Sequence, residues 1–487
     1  MPDYGLGSWP ARRARINPNG VALRQFGGRA ERAVTYRELA ADVDRLAGGL
    51  AARGVGHGDR VAYLGRNDIG TFELLFATTR LGAIFVPMNT RLSAPEIRYQ
   101  VDDVSPALLV YGPECAELAD GIANAVPLGQ ALALHGKPVG ADVALADDAV
   151  ILFTSGTTGR PKGAVLTHAN ITFNTMNQLA HADVLSSDTA LCIPPLFHAA
   201  GLGQVSLPTL FKGGTVAVVP TFEPGVVLGL VERSRIASFA AVPVMLQILC
   251  DHPDFATTDL GSLRYVIYGG SMVLERVAVA WQRRGVDILQ GYGMTEASPG
   301  VYLAPADGSA ARPVSIGVPH FFTDVTFDPS TDAPEPGASG ELLVRGLNVF
   351  RGYWQRPDDT ANAFTDGWYH TGDVVTVDDD GWAYVIDRVR DLIISGGENV
   401  SPSEVEAAIA ALPGIVDCAV VGVPDERWGE VGAAYVVASR PWTETSLREA
   451  LSGTIANFKI PRDVHFVDDL PRTASGKVRK QDLRAQA

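Results

Sequence analysis

Residues 151–170 read ILFTSGTTGRPKGAVLTHAN. An apolar run passes directly into a stretch rich in glycine that carries the hydroxyls of Thr154, Ser155, Thr157 and Thr158 and the ammonium of Lys162. Glycine lets backbone amides approach an anion closely, while hydroxyls and an ammonium donate to phosphate oxygens. Gly156 and Gly159 therefore join these side chains as candidates for a polyphosphate cradle. The spacing is not the GxxxxGK[ST] of a P-loop. A flexible Gly/Ser turn is the plainer reading, but this loop holds more hydroxyl and cationic donors than a turn needs.

Four further stretches combine residue types suited to the same chemistry. In GYGMTE, residues 291–296, Tyr292 stands beside Gly291 and Gly293 and can stack on a purine. Glu296 in the same stretch offers a carboxylate to Mg²⁺, a hard ion that prefers such oxygens. Taken alone, Glu296 is equally a carboxylate at a helix start. In YHTGD, residues 369–373, Asp373 can accept both hydroxyls of a ribose, although an Asp there is commonly a turn former. DRVRD spans residues 387–391, and PRTASGKVRK, residues 471–480, sets Lys477 after Gly476. By itself, a lysine near a C-terminus reads as a solvated charge.

These five stretches, in this order, resemble the signature motifs of the adenylate-forming superfamily, which includes acyl-CoA synthetases, aryl-CoA ligases, firefly luciferase and peptide-synthetase adenylation domains. The likeness runs from Thr35 to Lys477, essentially the whole chain. It implies an ATP- and Mg²⁺-dependent enzyme that activates a carboxylic acid as an acyl-AMP and passes it to coenzyme A. By this resemblance, residues 154–159 and Lys162 hold phosphates. Gly270, Ser271, Gly291, Tyr292, Gly293 and Met294 frame the adenine, Thr295 contacts phosphate, and Glu296 carries the metal. Asp373 and Arg388 hold the ribose. Arg390 occupies the hinge position, where Lys or Asp is commoner, a mild departure. Lys477 is the catalytic lysine, and Ser395, Gly396 and Gly397 line a pantetheine tunnel.

The chemistry has physical reasons for needing such residues. A free carboxylate is a poor electrophile, because its leaving group would be oxide. Attack of the carboxylate on the α-phosphate expels pyrophosphate and yields a mixed anhydride whose AMP then leaves readily. That displacement calls for positioning, Mg²⁺ and cationic clamps rather than a protein nucleophile. The sequence accordingly shows no Ser-His-Asp or Cys-His constellation. An ammonium placed where negative charge spreads in the transition state supplies a large share of catalysis, the role the resemblance gives Lys477.

The resemblance places the acid near residues 197–203, 239–245 and 268–271, with Phe197, His198, Gly203, Phe239, Val242, Gly269 and Gly270 lining it. His198 is expected to support the carboxylate, although a lone His is more often a hydrogen-bonded core residue. Small residues dominate these segments, which hold no Arg or Lys for a second carboxylate and no evident Asp for an α-ammonium. The expected acid is medium- or long-chain and apolar, or aryl. An alternative keeps the adenylation but delivers the acyl group to a carrier-protein phosphopantetheine or another nucleophile. A third reading, a nucleotide-binding regulator on a degenerate scaffold, conflicts with the intact Glu296, Asp373, Arg388 and Lys477.

The elements that must position these residues follow from periodicity and composition. The 487 residues are too many for one ordinary core. Thr35 and Glu38 fit a capping box, followed at helical spacing by Leu39, Val43, Leu46 and Leu50, with Gly54 as a stop. Strands are expected at 61–64, 149–153, 216–219, 265–268 and 287–289. Their alternation with helices predicts an α/β fold with largely parallel sheets, whose ligands gather at strand C-termini. After about residue 317 the apolar runs shorten, as at 340–345 and 383–386, predicting a β-rich subdomain over about 317–388. A last unit follows, with a helix opened by Ser401, Pro402 and Glu404 and a strand at 418–423. The expected division is an N-terminal domain of stacked α/β sheets over 1–388, with a β-barrel-like subdomain, and a small mobile C-terminal α+β domain over 389–487.

Charge and cysteines narrow the setting. The net charge of -15 argues against a general nucleic-acid binder. Cys115, Cys192, Cys250 and Cys418 are scattered, without metal-ligand spacing, as in a cytoplasmic protein. The N-terminus has no signal-like apolar region, and no run is long enough to span a bilayer. Arg12, Arg13 and Arg15 read as a solvated basic patch.

Overall fold

The computed structural model describes residues 3–27, 31–92, 94–139, 141–154, 161–269, 273, 275–312, 314–328, 330–331, 333–388, 393–395, 398–400, 402–425, 429–452, 454–455, 457–473 and 476–486. The side chains of residues 387, 388, 394, 398, 399, 404 and 429 also lie outside this description. Contacts divide the chain into two compact units, residues 1–325 with 344–369, and residues 326–343 with 370–487.

The first unit is built on βα alternation. Thr35 caps the helix Tyr36–Ala52 by accepting from the Glu38 amide, while the Glu38 carboxylate takes the Thr35 amide at 2.8 Å. This reciprocal pairing satisfies two amides that the first turn leaves orphaned. Leu39, Val43, Leu46 and Leu50 form the buried face. Gly54, at φ +88°, ends the helix in a conformation that costs other residues about 1 kcal/mol or more.

Two sheets order this unit. Among the described residues one runs Gly352–Tyr353, Lys162–Thr167, Asp148–Thr154, Ile84–Met88, Arg60–Leu64, Leu108–Tyr111 and Ala125–Pro127. It is parallel from Asp148–Thr154 onward and antiparallel at the other edge. The second runs Val318–Pro319, Gly300–Leu303, Asp287–Gly293, Tyr265–Tyr268, Ser238–Ala241, Thr189–Cys192, Thr215–Val218, Val21–Gln25 and Arg32–Thr35. Its interior is parallel, as Val/Ile-rich strands buried on both faces require. Phe239, Ala241, Val266 and Tyr268 pack on one side with Trp281, while Ala240, Ile267 and Leu289 pack on the other with Val205.

The strand expected at 287–289 extends through Gly293. Its GYG end has loop-like composition, yet it pairs with Gly300–Leu303. A Cβ at Gly293 would lie 1.7 Å from the Pro299 carbonyl oxygen, so only glycine allows this approach.

In the second unit the strand Ala383–Arg388 pairs antiparallel with the end of Trp368–Val377, setting Asp373 opposite Arg388. A separate sheet runs Glu398–Val400, Ile393–Ser395, Gly429–Ala438 and Ile415–Asp425, with Asp463–Phe466 parallel to Gly429–Ala438. Alternation puts Val420, Ala434 and Val436 against the helices Pro402–Ala410 and Glu444–Leu451. Ala419, Val421, Ala433 and Tyr435 face Leu470 and Leu483. Ser401 and the Glu404 side chain, expected to cap Pro402–Ala410, lie outside the described residues. No described helix is long and apolar enough to cross a membrane.

Candidate active site

The expected phosphate loop closes a hairpin. Asp148–Thr154 and Lys162–Thr167 are antiparallel, with Thr154 directly opposite Lys162. Ser155, Gly156, Thr157, Thr158 and Gly159 lie outside the described residues. The Lys162 ammonium lies 2.6 Å from Oδ1 of Asp359 and 5.4 Å from the centre of the Tyr353 ring. A largely buried ammonium needs such a partner.

Glu296 sits in the short 3-10 turn Thr295–Ala297 and is buried, 8% exposed. The Tyr353 hydroxyl donates to its Oε1 at 2.9 Å. Burial first, and the Glu296 carboxylate second, push the phenols of Tyr353 and Tyr369 well above their ordinary range, so both stay protonated. Tyr353 is fixed by pairing opposite Ala164 and by its amide, which donates to Thr360 Oγ1 at 2.9 Å. The main chain of Glu296 is held by the Phe350 amide at 2.7 Å. Asn348 donates to the carbonyls of Ala297 and Gly300 at 3.2 and 2.7 Å. Asn174 closes the frame, accepting from the Gly300 amide and donating to the Gly203 carbonyl.

These clamps fit a metal site completed by a ligand. Among the described residues no group of three or more His, Cys, Asp or Glu side chains could hold a metal by itself. Mg²⁺ characteristically binds through one or two carboxylates and the phosphates of its substrate. A buried carboxylate whose orientation is fixed by a phenol matches that donor set.

Tyr292 packs edge-on to Tyr302 at 6.1 Å. The Met294 amide donates to the Pro299 carbonyl at 2.9 Å, and Thr295 opens the turn that carries Glu296. Gly291, Tyr292, Gly293, Met294, Thr295 and Glu296 are thus one continuous edge at the C-terminal end of a central strand. Gly270 and Ser271 lie outside the described residues.

The segment around His198 is held from beneath. Asn67 donates to the Pro194 carbonyl and accepts from the Leu196 amide at 2.8 Å, clamping the turn before Phe197. Phe197 is buried and meets the His198 ring edge-on at 4.7 Å. A π-helical turn, Gly201–Ser206, follows, with Ser206 Oγ donating to the Gly201 carbonyl at 2.8 Å. Gly203 faces backbone, since a Cβ there would lie 2.5 Å from the Ser298 carbonyl oxygen. Phe239 is fully buried against Trp281 on the core side of the sheet. Val242 precedes the helix Pro243–Asp251 as its N-cap. Gly269 and Gly291 occupy equivalent positions just past the paired residues Tyr268 and Gln290.

In the second unit Asp373 is buried, with its amide donating to Thr371 Oγ1. The backbone of Arg388 is its cross-strand partner. Lys477 is exposed and follows Gly476, whose φ of +86° turns the chain. Hydrogen bonds between Thr473 and the backbones of Gly476 and Lys477 close this turn. An Arg472–Asp417 ion pair ties it to the strand Ile415–Asp425. Ser395 ends the strand Ile393–Ser395 and pairs with both Glu398 and Gly429. Gly396, Gly397 and Arg390 lie outside the described residues.

Burial pushes the thiols of Cys115 and Cys250 up to about 11 and those of Cys192 and Cys418 up to about 12. None of the four is a thiolate nucleophile at neutral pH. Sequence reasoning missed Asn67, Asn174, Asn348, Tyr353 and Asp359. Only Tyr353 carried a sequence signal, as an aromatic beside a glycine in RGYW, residues 351–354.

The AMP-binding enzyme family profile matches residues 10–354, and the AMP-binding enzyme C-terminal domain profile matches residues 404–477. The chain is 48% identical to a feruloyl-CoA synthase from Amycolatopsis sp, covering 99% of each. It is 38% identical to an indoleacetate–CoA ligase from Aromatoleum aromaticum, covering 98% of this chain and 97% of that one. Among solved structures it is similar to o-succinylbenzoate CoA synthetase (MenE) from Bacillus subtilis in complex with the acyl-adenylate OSB-AMP. That match has a TM-score of 0.89 and 30% identity and covers 98% of both chains. The same synthetase has been solved with ATP and a magnesium ion.

Proposed function

The chain belongs to the AMP-binding enzyme family, and from that membership we propose how its residues divide the work of an AMP-forming acid:CoA ligase. The reaction has two halves. The acid and ATP give acyl-AMP and pyrophosphate, and CoA then takes the acyl group and releases AMP.

The loop 154–159 and Lys162 bind the phosphates, Tyr292 and Gly293 hold the adenine, and Asp373 and Arg388 hold the ribose. Mg²⁺ bound at Glu296 supplies charge neutralisation on the phosphates. Tyr353 keeps the Glu296 carboxylate aimed by donating to one of its oxygens. His198 orients the carboxylate of the acid. Lys477 brings its ammonium to the charge shared by carboxylate and α-phosphate during adenylation. Ser395, Gly396 and Gly397 line the route of pantetheine in the second half. The mobile domain begins at residue 389, with Arg390 as its hinge, a boundary of motion rather than of contact density. The reducing setting suited to four unpaired cysteines supports a cytoplasmic location.

The acid is aryl. One observation carries this reading, the 48% identity over nearly the whole chain with a feruloyl-CoA synthase. The partly exposed backbone of Gly269 and Gly291 supports it, because a flat ring can stack on backbone that carries no side chain. The test is thioester formation with ATP and CoA across cinnamate, benzoate, octanoate and palmitate. The reading requires kcat/KM for an aryl acid to exceed that for both fatty acids, and the reverse order contradicts it.

A further inference from the structure

At the C-terminal edge of the central sheet, Tyr268 and Gln290 are register partners, joined by a bond of 2.9 Å from the Tyr268 hydroxyl to Gln290 Oε1. The next position on each strand is a glycine. At Gly269 the backbone demands it, since a Cβ would lie 2.6 Å from the Gly291 carbonyl oxygen. At Gly291 nothing does. A Cβ there would meet its nearest neighbours at 3.5 Å, an ordinary contact, and its φ is not left-handed. Packing would accept a side chain at 291, and Gly269 and Gly291 are both partly exposed, so their backbone offers a surface that a ligand can cover.

A polar side chain overlooks that surface. Gln204 Nε2 lies 3.6 Å from the position a Cβ would take at Gly269 and 3.5 Å from that at Gly291. Gln204 belongs to the π-helical turn Gly201–Ser206 and is its one residue not fully buried. Its amide makes no hydrogen bond among the described residues. An amide offers two donors and an acceptor, and closing it against a purely apolar group leaves these unpaired. Sites built to bond a hydroxyl reject the analogue that lacks one far more strongly than apolar pockets reject a missing methylene.

We propose that Gln204 is a specificity-determining residue that bonds a hydroxyl on the ring of the acid, so that the enzyme prefers ring-hydroxylated aryl acids to unsubstituted ones. The ring lies on the backbone of Gly269 and Gly291, and the Gln204 amide meets its polar substituent. This rests on the aryl-acid reading above.

The test uses the full chain with ATP, Mg²⁺ and CoA, and compares cinnamate with 3- and 4-hydroxycinnamate. The wild type is expected to favour at least one hydroxylated acid by about tenfold in kcat/KM, the worth of one hydrogen bond. Gln204→Met keeps length and volume but removes the amide. It is expected to lower the favoured acid about tenfold and leave cinnamate within about twofold. Gln204→Asn, which retains an amide on a shorter stem, is expected to restore part of the preference. Equal loss on all three acids, or an unchanged preference in Gln204→Met, overturns the role of Gln204 while leaving the aryl-acid reading intact. A wild type that turns over fatty acids and none of the three aryl acids overturns that reading itself, and this proposal with it.

Discussion

The Tyr353 hydroxyl donates to Oε1 of Glu296 at 2.9 Å, joining a strand at the edge of one sheet to the turn that ends a central strand of another. A hydrogen bond to a charged group is worth about 1.5–3 kcal/mol. Tyr353→Phe removes it while keeping the ring against Phe350 at 4.9 Å. Pyrophosphate release is expected to slow by about tenfold or more, with a raised Mg²⁺ requirement and a Tm shifted by only a few degrees. Titrating Mg²⁺ in both proteins checks this, and identical Mg²⁺ curves would contradict the assigned role.

Gly291 and Gly293 lie two residues apart and should answer opposite questions. Gly293→Ala drives a Cβ to 1.7 Å from the Pro299 carbonyl oxygen, so the strand pairing must distort. A loss of about 1–3 kcal/mol in stability is expected, read by urea titration. Gly291→Ala meets only ordinary contacts, so its urea midpoint should hold. Its KM for aryl acids should rise about tenfold, because the added methyl occupies the surface meant for the ring. A destabilised Gly291→Ala would show that the glycine serves packing.

Lys477→Ala separates the two half-reactions. Adenylation, followed by pyrophosphate release, is expected to fall at least about a hundredfold, as loss of a charge aimed at the transition state does elsewhere. Thioester formation from supplied acyl-AMP and CoA should stay within about threefold, since thiol attack on the anhydride does not use that charge. Equal losses in both halves would remove the assigned role.

Two buried histidines set a pH dependence. Burial is the main reason that His168 is pushed down to about 4, against weaker opposing influence from Asp147. Burial, and then His181, push His320 down to about 3. The fold holds both neutral, whereas the unfolded chain protonates them near 6.5, so their contribution is whole above about pH 6.5 and is lost as pH falls toward 4. At pH 5 each should have cost about 2 kcal/mol of stability. His168 Nδ1 accepts from the Leu6 amide at 3.0 Å, a bond the side-chain oxygen of Asn can also accept. His168→Asn should therefore lose stability less steeply between pH 7.5 and 5 than the wild type, as measured by Tm. Parallel curves for the two proteins would contradict the assignment.

Local signals in the sequence carried the elements well where one residue sufficed to decide. The Thr35–Glu38 cap, the apolar stripe behind it and the buried strands 149–153 and 265–268 all have their cause within a few residues. The GYG edge did not, because its strand character comes from a partner ten residues on and from the closeness of Pro299. The clamps on the Glu296 turn were equally hidden. Asn174 and Asn348 are ordinary polar residues until folding brings them to Gly300, one from far before it and one from far beyond. Phe239 shows the limit of segment-level inference. It lies within a stretch assigned to the acid, yet strand alternation turns its ring to Trp281, whereas Ala240 faces the opposite side.

In the proposed mechanism a carboxylate oxygen of the acid attacks the α-phosphate before any thiol arrives, an order that isotopic oxygen can follow. It is tested most directly with an aryl acid carrying ¹⁸O in its carboxylate, converted with ATP and CoA, followed by mass spectrometry of the AMP and pyrophosphate. One ¹⁸O in AMP for each acyl-CoA formed, with none in pyrophosphate, is the predicted result. Unlabelled AMP alongside labelled phosphate or pyrophosphate would contradict it.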